Sequence, residues 1–404
     1  MSSAPLVRFL DRTTPPHIAT LTLMVGIGAL NMSAFLPSLN HMAAYFATDY
    51  AIMQLAVSGY LAMTAVLQIF IGPLSDRYGR RPVVITALTI FVLATAATLF
   101  ATNIWVFLAL RMLSGAVATT MVLSRAIVRD MVPAAQAASM IGYVTMGMAL
   151  VPMVGPMIGG VLDEVWDWRA TFVMLALCGA AVLALVVADQ GETLQDGGVS
   201  FAEQVKGYPA LVASRRFWGY VLCAAFGSGA FFALLGGASF VAGEVFQLSP
   251  ILTGAAIGSP AIGYMAGNFI SGRYSVRLGV NRMALLGSVV ATAGMAVSLL
   301  VTLAGVVHPL VFFGFCVFLG MGNGIMLPSA TAGSLSVRPD LAGTASGLGG
   351  AIMIGGGAAL SAWAGSLLSV EWGTLPLQAI MLATSALAVV SILFVIRRER
   401  QLAG

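Results

Sequence analysis

Arg111 stands inside an unbroken apolar run, in the string Leu110-Arg111-Met112-Leu113-Ser114-Gly115. Burying an arginine in a lipid-solvated span costs at least ~2.5 kcal/mol, so such a charge is a functional candidate by default. The plainer readings are snorkelling to the interface or a structural hydrogen bond. A second charged group is the string Gly72-Pro73-Leu74-Ser75-Asp76-Arg77-Tyr78-Gly79-Arg80-Arg81-Pro82. Glycines such as Gly72 and Gly79 permit a tight connection and close helix approach. Asp76 can pair with an arginine or sit at a helix N-terminus. Arg77, Arg80 and Arg81 can pair with acids or anionic headgroups, or simply anchor the topology. The chemistry on offer is ion-pair exchange rather than bond making. Paired acids, a Ser/His pair or a metal-ligand set at membrane depth would signal an enzyme, and the sequence offers none. Cys178, Cys223 and Cys316 lie apart in apolar runs and read as small buried hydrophobes. His17, His41 and His308 are scattered near run ends, so no metal site is expected.

These groups need elements to hold them. The chain of 404 residues is 59% hydrophobic and 8% charged, with a mean hydropathy of +0.97. A soluble domain carries about 25% charged residues, so lipid must solvate this one. Apolar runs fall roughly at 18–39, 52–73, 83–102, 104–127, 138–160 and 171–189, then at 217–241, 251–272, 283–306, 309–333, 342–367 and 374–396. Each is long enough to cross ~30 Å of hydrocarbon as a helix. They are continuous rather than alternating, which excludes a barrel. The expected fold is an all-α membrane protein of twelve transmembrane helices in two six-helix pseudo-symmetric halves. Residues 1–189 form the N-terminal bundle, 190–216 a linker loop and 217–404 the C-terminal bundle. The first run is too long, and followed by too many others, for a cleavable signal peptide.

Lysine and arginine placement sets the orientation. Of nineteen basic residues, Arg111 falls within a span and Arg169 on one side. The remaining seventeen fall on the other side, which is read as the cytoplasm, with both termini there. The formal net charge of +4 therefore reports topology and not a nucleic-acid partner. The acids avoid the spans. Asp49, Asp163, Glu164, Asp167, Glu244 and Glu371 lie at the far ends of runs, and the rest lie on the cytoplasmic side.

The halves read as repeats. Gly72, Ser75, Arg77 and Gly79 recur as Gly272, Ser275, Arg277 and Gly279 at an offset of 200. Val106, Phe107, Gly115, Met121 and Ser124 recur as Val311, Phe312, Gly320, Met326 and Ser329 at an offset of 205. At that offset Arg111 corresponds to Cys316, so the charge is not a repeated architectural feature. The fifth run ends Val151-Pro152-Met153-Val154-Gly155-Pro156-Met157-Ile158-Gly159-Gly160. Proline removes a backbone donor and kinks a helix, and glycines let a facing helix approach. An ordinary packing face is the plainer reading.

The string at 72–82 resembles the signature loop of the major facilitator superfamily. The stretch Gln54 to Val84, the string Arg125-Ala126-Ile127-Val128-Arg129-Asp130 and Trp168-Arg169-Ala170-Thr171-Phe172 resemble the Bcr/CflA drug-efflux family. The likeness is strong over the N-terminal half and weaker over the C-terminal half. It implies the major facilitator fold and a gate in which Asp76 pairs with Arg125 or Arg129 and Asp130 joins, a two-state element of the kind alternating access requires. It also implies that Arg111 takes part in proton and substrate coupling, and that Pro152, Gly155, Pro156, Gly159 and Gly160 form the motif of exporters.

One departure stands out. Relatives often carry an acid before the Leu36-Pro37 pair, at the position held here by Ser33. A proton-coupled exporter needs a titrating site. A gate-level group such as Glu244 serves, or Arg111 changes partners, or the coupling differs. Candidate pocket residues on the central runs include Asn31, Ser33, Thr119, Thr120, Phe226, Phe231, Phe232, Asn323 and Met326, which suit a tolerant pocket or plain packing. Without a cavity acid, neutral, amphiphilic or anionic substrates are expected over strongly cationic ones. The expectation is a monomeric, cofactor-free exporter of small molecules in the bacterial inner membrane, driven by the proton gradient. The alternative is a dedicated exporter of an endogenous metabolite.

Overall fold

The computed structural model describes residues 7–132, 154–194, 209–338 and 341–403, together with 140, 144 and 151. The chain is nearly all helical. In order come α1 (Ile18–Ser33), a 3₁₀ turn at Leu36–Ser38, α2 (Leu39–Tyr45), α3 (Tyr50–Met53), α4 (Leu55–Tyr78), α5 (Arg80–Thr98) and α6 (Ile104–Leu113). A 3₁₀ turn at Ser114–Val117 leads into α7 (Ala118–Met131). Then come α8 (154–165) and α9 (Trp168–Asp189). The second half holds α10 (Arg215–Phe240), a π turn at Val241–Val245, α11 (Pro250–Leu278), α12 (Val280–Leu303), α13 (Pro309–Ser336), α14 (Ala342–Ser366) and α15 (Leu375–Ala403).

Among the described residues, ten helices are long and apolar enough to cross a membrane. The first runs Ile18–Tyr45 straight through its 3₁₀ break, which falls where Pro37 removes a backbone donor. α11, at 29 residues, has the length, but its glycines and serines leave it less apolar than the ten. The fifth run, expected over 138–160, lies mostly outside the described residues, and Pro152 with it.

The repeat detected in the sequence has a structural cause at one position in each half. α4 ends at Gly79 with φ 96° and α11 ends at Gly279 with φ 79°. Each glycine donates its N–H back to a serine carbonyl, Ser75 at 3.0 Å and Ser275 at 2.9 Å. Glycine reaches that region without strain, so the chain reverses directly into α5 and α12. These reversals gather Arg77, Arg80, Arg81, Arg277 and Arg282 at one end of the molecule, called here the basic end. The α5–α6 and α12–α13 connections lie at the far end.

Apolar side chains fill a core that runs through both halves. α10 packs on α14 and α15, α12 on α13 and α15, α5 on α9, and α4 on α14 of the other half. α11 and α13 meet backbone to backbone. A Cβ on Gly320 would strike Pro260 O, and one on Gly263 would strike Val317 O. With lipid as apolar as leucine, such close approach is a main source of helix association. Gly320→Val should therefore cost about 1–3 kcal/mol and lower the thermal midpoint in detergent. Gly314→Val, on the same helix with nothing within 4 Å of its Cβ position, should leave the midpoint unchanged. Equal midpoints for the two variants would contradict this packing.

Candidate functional site

Arg111 lies in the last turn of α6, where the following 3₁₀ turn turns Ser114 back onto it. Its residue is 1% exposed. Nη1 donates to Asn31 Oδ1 at 2.6 Å and to Ser114 Oγ at 3.1 Å, and Nη2 donates to Asn31 O at 2.6 Å. The guanidinium carbon is 4.3 Å from the Phe35 ring centre and 4.4 Å from that of Tyr60. Among the described residues no carboxylate pairs with Arg111. The charge is held by neutral acceptors and two ring faces, and ring faces attract a desolvated cation by about 2 kcal/mol. Arg111 Nε and Asn31 Nδ2 are buried donors without partners. Orphaned donors beside an uncompensated cation suit an anionic or strongly accepting group.

The other expected pocket residues are not gathered around this charge. Ser33 Oγ donates to Ala29 O in its own helix at 3.2 Å and faces Gly155 of α8. Asn323 and Met326 both pack against Gly227 of α10. Met326 belongs to a small apolar cluster with Tyr220, Cys223 and Ala224, so it is core within the second half. Asn323 Oδ1 is buried and unpartnered. Phe231, half-buried, packs against the large core beside Phe232. Thr120 donates to Met24 O at 2.6 Å and ties α7 to α1.

At the basic end the signature string forms a network centred on Arg80 rather than Arg125. Asp76 pairs with Arg80, at 2.5 Å, and not with Arg125. Arg80 Nε also reaches Asp130 at 3.0 Å, and Nη1 meets Ser75 Oγ. Asp130 therefore joins, but through Arg80. The reason is local: the Gly79 reversal places residue 80 one helical turn from Asp76, on the side facing α7. Arg125 is exposed, and the Arg129 side chain lies outside the described residues. Gly72 has nothing within 4 Å of its Cβ position, so close helix approach does not explain it here. Arg77 lies 5.3 Å over the Tyr78 ring.

Three acids that the sequence reading left without roles complete the basic end. Glu192, just past α9, accepts from Arg80 N at 2.9 Å and Arg81 N at 3.1 Å, capping the first turn of α5 where the helix dipole favours an anion. Its carboxylate occupies the space a Cβ on Gly79 would need. Asp189 accepts from Leu10 N, His17 N and Thr20 Oγ1 at 2.6–2.8 Å, fastening the N-terminal segment. Glu399 in α15 accepts from Arg216 at 2.6 Å and Tyr220 at 3.1 Å, and Asn281 at the start of α12 donates to it. Each half thus binds the start of its third long helix to an acid at the end of its last. A cavity of about 470 Å³ opens beside Glu399, lined also by Arg216, Tyr220 and Asn281.

At the far end the halves touch. Gln54 Nε2 donates to Ser361 O at 2.9 Å, Tyr50 OH to Gly236 O at 3.2 Å and Asn40 Nδ2 to Ser239 O at 3.1 Å. Ile251 N donates to Glu164 at 3.2 Å. The exporter-type glycines sit in this seam. Gly159 rests on Ala34 O of its own half and Gly160 on Pro250 O of the other, while Gly254 abuts Pro156 O. Gln54, an amide in an otherwise apolar stretch, was the one sequence signal for it.

Many long apolar helices, a buried cation between them and a seam between two halves define a polytopic carrier. The profile described as Major Facilitator Superfamily matches residues 21–360, and the chain belongs to that superfamily. Its likeness to the Bcr/CflA drug-efflux branch is carried by named relatives. Multidrug resistance protein D of Escherichia coli (strain K12) is 27% identical over 361 residues, covering 88% of this chain and 90% of that protein. The chloramphenicol resistance protein of Pseudomonas aeruginosa is 33% identical over 210 residues, covering 51% and 49%. A bacterial homolog of the human lysosomal transporter Spinster, solved in an inward-facing and occupied conformation, aligns with a TM-score of 0.72 at 18% identity over 95% of this chain and 96% of that one. At that identity the likeness concerns the fold alone.

Proposed function

We propose that this chain exports small amphiphilic drugs across a bacterial inner membrane by proton antiport and alternating access. Twelve helices in two halves, 1–189 and 217–404, rock about a site near Arg111, and residues 190–216 join them. The basic end faces the cytoplasm with both termini, and the seam at Gln54, Tyr50 and Asn40 is the periplasmic gate, closed in this structure. The protein works as a monomer without a cofactor, and the proton gradient drives it. One observation carries the reading: a buried guanidinium without a counter-charge among the described residues, placed between gate layers at the two ends. The names of the two bacterial relatives support drugs as the cargo. With no acid beside Arg111, neutral or anionic compounds are favoured over cations.

The test is accumulation of chloramphenicol and of a permanently cationic dye in pump-deficient bacteria, with and without this protein. Expression should lower chloramphenicol accumulation, and an uncoupler should restore it. The dye should be the weaker substrate. If neither compound moves while the protein is correctly inserted, drug export fails and a dedicated exporter of an endogenous metabolite takes its place.

A further inference from the structure

The far end holds a buried acid that neither Arg111 nor the basic-end network uses. Asp163 lies in α8, three residues past the apolar run that ends near residue 160. Its side chain is 1% exposed, and Oδ2 is 2.9 Å from Nδ1 of His41 in α2, whose side chain is 57% exposed. Both carboxylate oxygens are buried, and no well-aligned hydrogen bond reaches either. The hydroxyl of Ser38, itself buried and unpartnered, interacts with the carboxyl. The other charged group set against it is Asp167, which is tied to Arg169 at 2.9 Å. Glu164, next in the chain, turns to Ile251 N. α8 meets α1 at Ala34 O and α11 at Pro250 O and α9 where Thr171 Oγ1 donates to Gly159 O, contacts that among the described residues bring up no further titratable group.

A carboxylate so short of donors is poorly stabilised when ionised. Burial holds the Asp163 carboxyl above the ordinary carboxylate range, against the lowering influence of His41. The position of the pair matters as much as its chemistry. Asn40, beside His41, bridges to Ser239 of the other half. Glu164, beside Asp163, bridges to Ile251 of the other half. Parting the halves at this end breaks both bridges and lets water reach Asp163.

We propose that Asp163, with His41 as its solvent-facing partner, is a proton-binding site, and that the proton it holds keeps the far-end seam closed. This deepens the exporter reading and rests on it for the parting of the halves. The Asp163 carboxyl takes the proton from water when the seam opens, and His41, with Nδ1 2.9 Å from Oδ2, opposes its uptake. The sign follows from linkage. The closed seam dehydrates the acid and raises its proton affinity, while the open seam solvates it. Acid therefore favours the closed seam, and that preference is lost as pH rises through the closed-state titration. For an exporter the order is productive, because a proton taken up from the far-side solution closes the emptied carrier at that end.

The test reads the seam directly. Spin labels go on Phe100→Cys and Leu303→Cys, exposed far-end positions in the two halves, with Cys178, Cys223 and Cys316 replaced by alanine. Pulsed dipolar EPR follows the interlabel distance over roughly pH 5 to 9, above the ordinary carboxylate value, without substrate or gradient. The parent should show the short distance in acid and a growing long component as pH rises. Asp163→Asn should hold the short distance throughout. His41→Gln should move the midpoint up by about one pH unit, since a removed cation raises an acid's affinity by that order. A pH-independent distance in the parent, or a parental response in Asp163→Asn, overturns the proposal. If Asp163→Asn fails to insert, an unmoved midpoint in His41→Gln overturns it. The readout needs no flux, so its failure is separate from failure of the accumulation assay.

Discussion

Arg111→Leu should return chloramphenicol resistance and uncoupler-sensitive efflux to the level of cells lacking the protein, and Arg111→Lys should do nearly the same. Geometry rather than charge decides the outcome. The guanidinium makes two hydrogen bonds to one residue, to Asn31 Oδ1 and Asn31 O, both at 2.6 Å, and its carbon lies over the rings of Phe35 and Tyr60. A lysine ammonium is a strongly hydrated point charge and cannot reproduce a fork held between two rings. Leucine leaves Asn31 Oδ1 and Asn31 O without their donor, at about 1–3 kcal/mol for each buried orphan. That loss is offset in part, because removing an unpaired cation from the membrane interior recovers roughly 2.5–3.5 kcal/mol. Leucine should therefore insert and fold while failing to transport. Inserted protein, measured by fluorescence-detected size exclusion, separates the two effects. Full efflux by Arg111→Leu at parental expression would remove Arg111 from the mechanism.

Arg111 was legible in the sequence because a charge inside an apolar run has one physical reading, that something internal must compensate it. The compensation itself was not legible. Asn31 could be named as polar, but not as the acceptor of two bonds from a residue eighty positions away. The signature loop shows the same division. Its residue types announced ion pairs at a helix reversal, and the reversal is there at Gly79. The partner of Asp76 depended on a positive φ that swings Arg80 toward α7, and pattern cannot fix that angle. Glu192 and Glu399 were passed over because they follow the ends of apolar runs, where acids are unremarkable. Their roles appear only when α9 and α15 deliver them to the first turns of α5 and α12. Met326 was left open between two readings. A methionine on a central helix suits a pocket or a core equally, and Gly227 opposite it makes it core.

The network at the basic end gives the second large effect. Arg80→Ala should destabilise the protein by about 3 kcal/mol, the order expected when one partner of a buried ion pair is removed, and should cut efflux by at least an order of magnitude. Arg80 is 7% exposed, and among the described residues it alone stands between two carboxylates, Asp76 at 2.5 Å and Asp130 at 3.0 Å. Without it two like charges face each other in a partly dry site, with Thr193 Oγ1 at 3.4 Å from Asp130 as a weak substitute donor. Arg81→Ala is the control. Among the described residues the Arg81 side chain makes one bond, to Val187 O at 3.0 Å, and with no carboxylate paired to it its loss should cost under about 1 kcal/mol. The cause can be isolated by a double-mutant cycle. If repulsion between Asp76 and Asp130 is the damage, Asp130→Asn should recover part of the stability lost by Arg80→Ala, although Asp130→Asn alone weakens the parent. Strictly additive losses would mean that Arg80 acts through its bond to Ser75 and the packing of its buried side chain, and not as the cation between two acids.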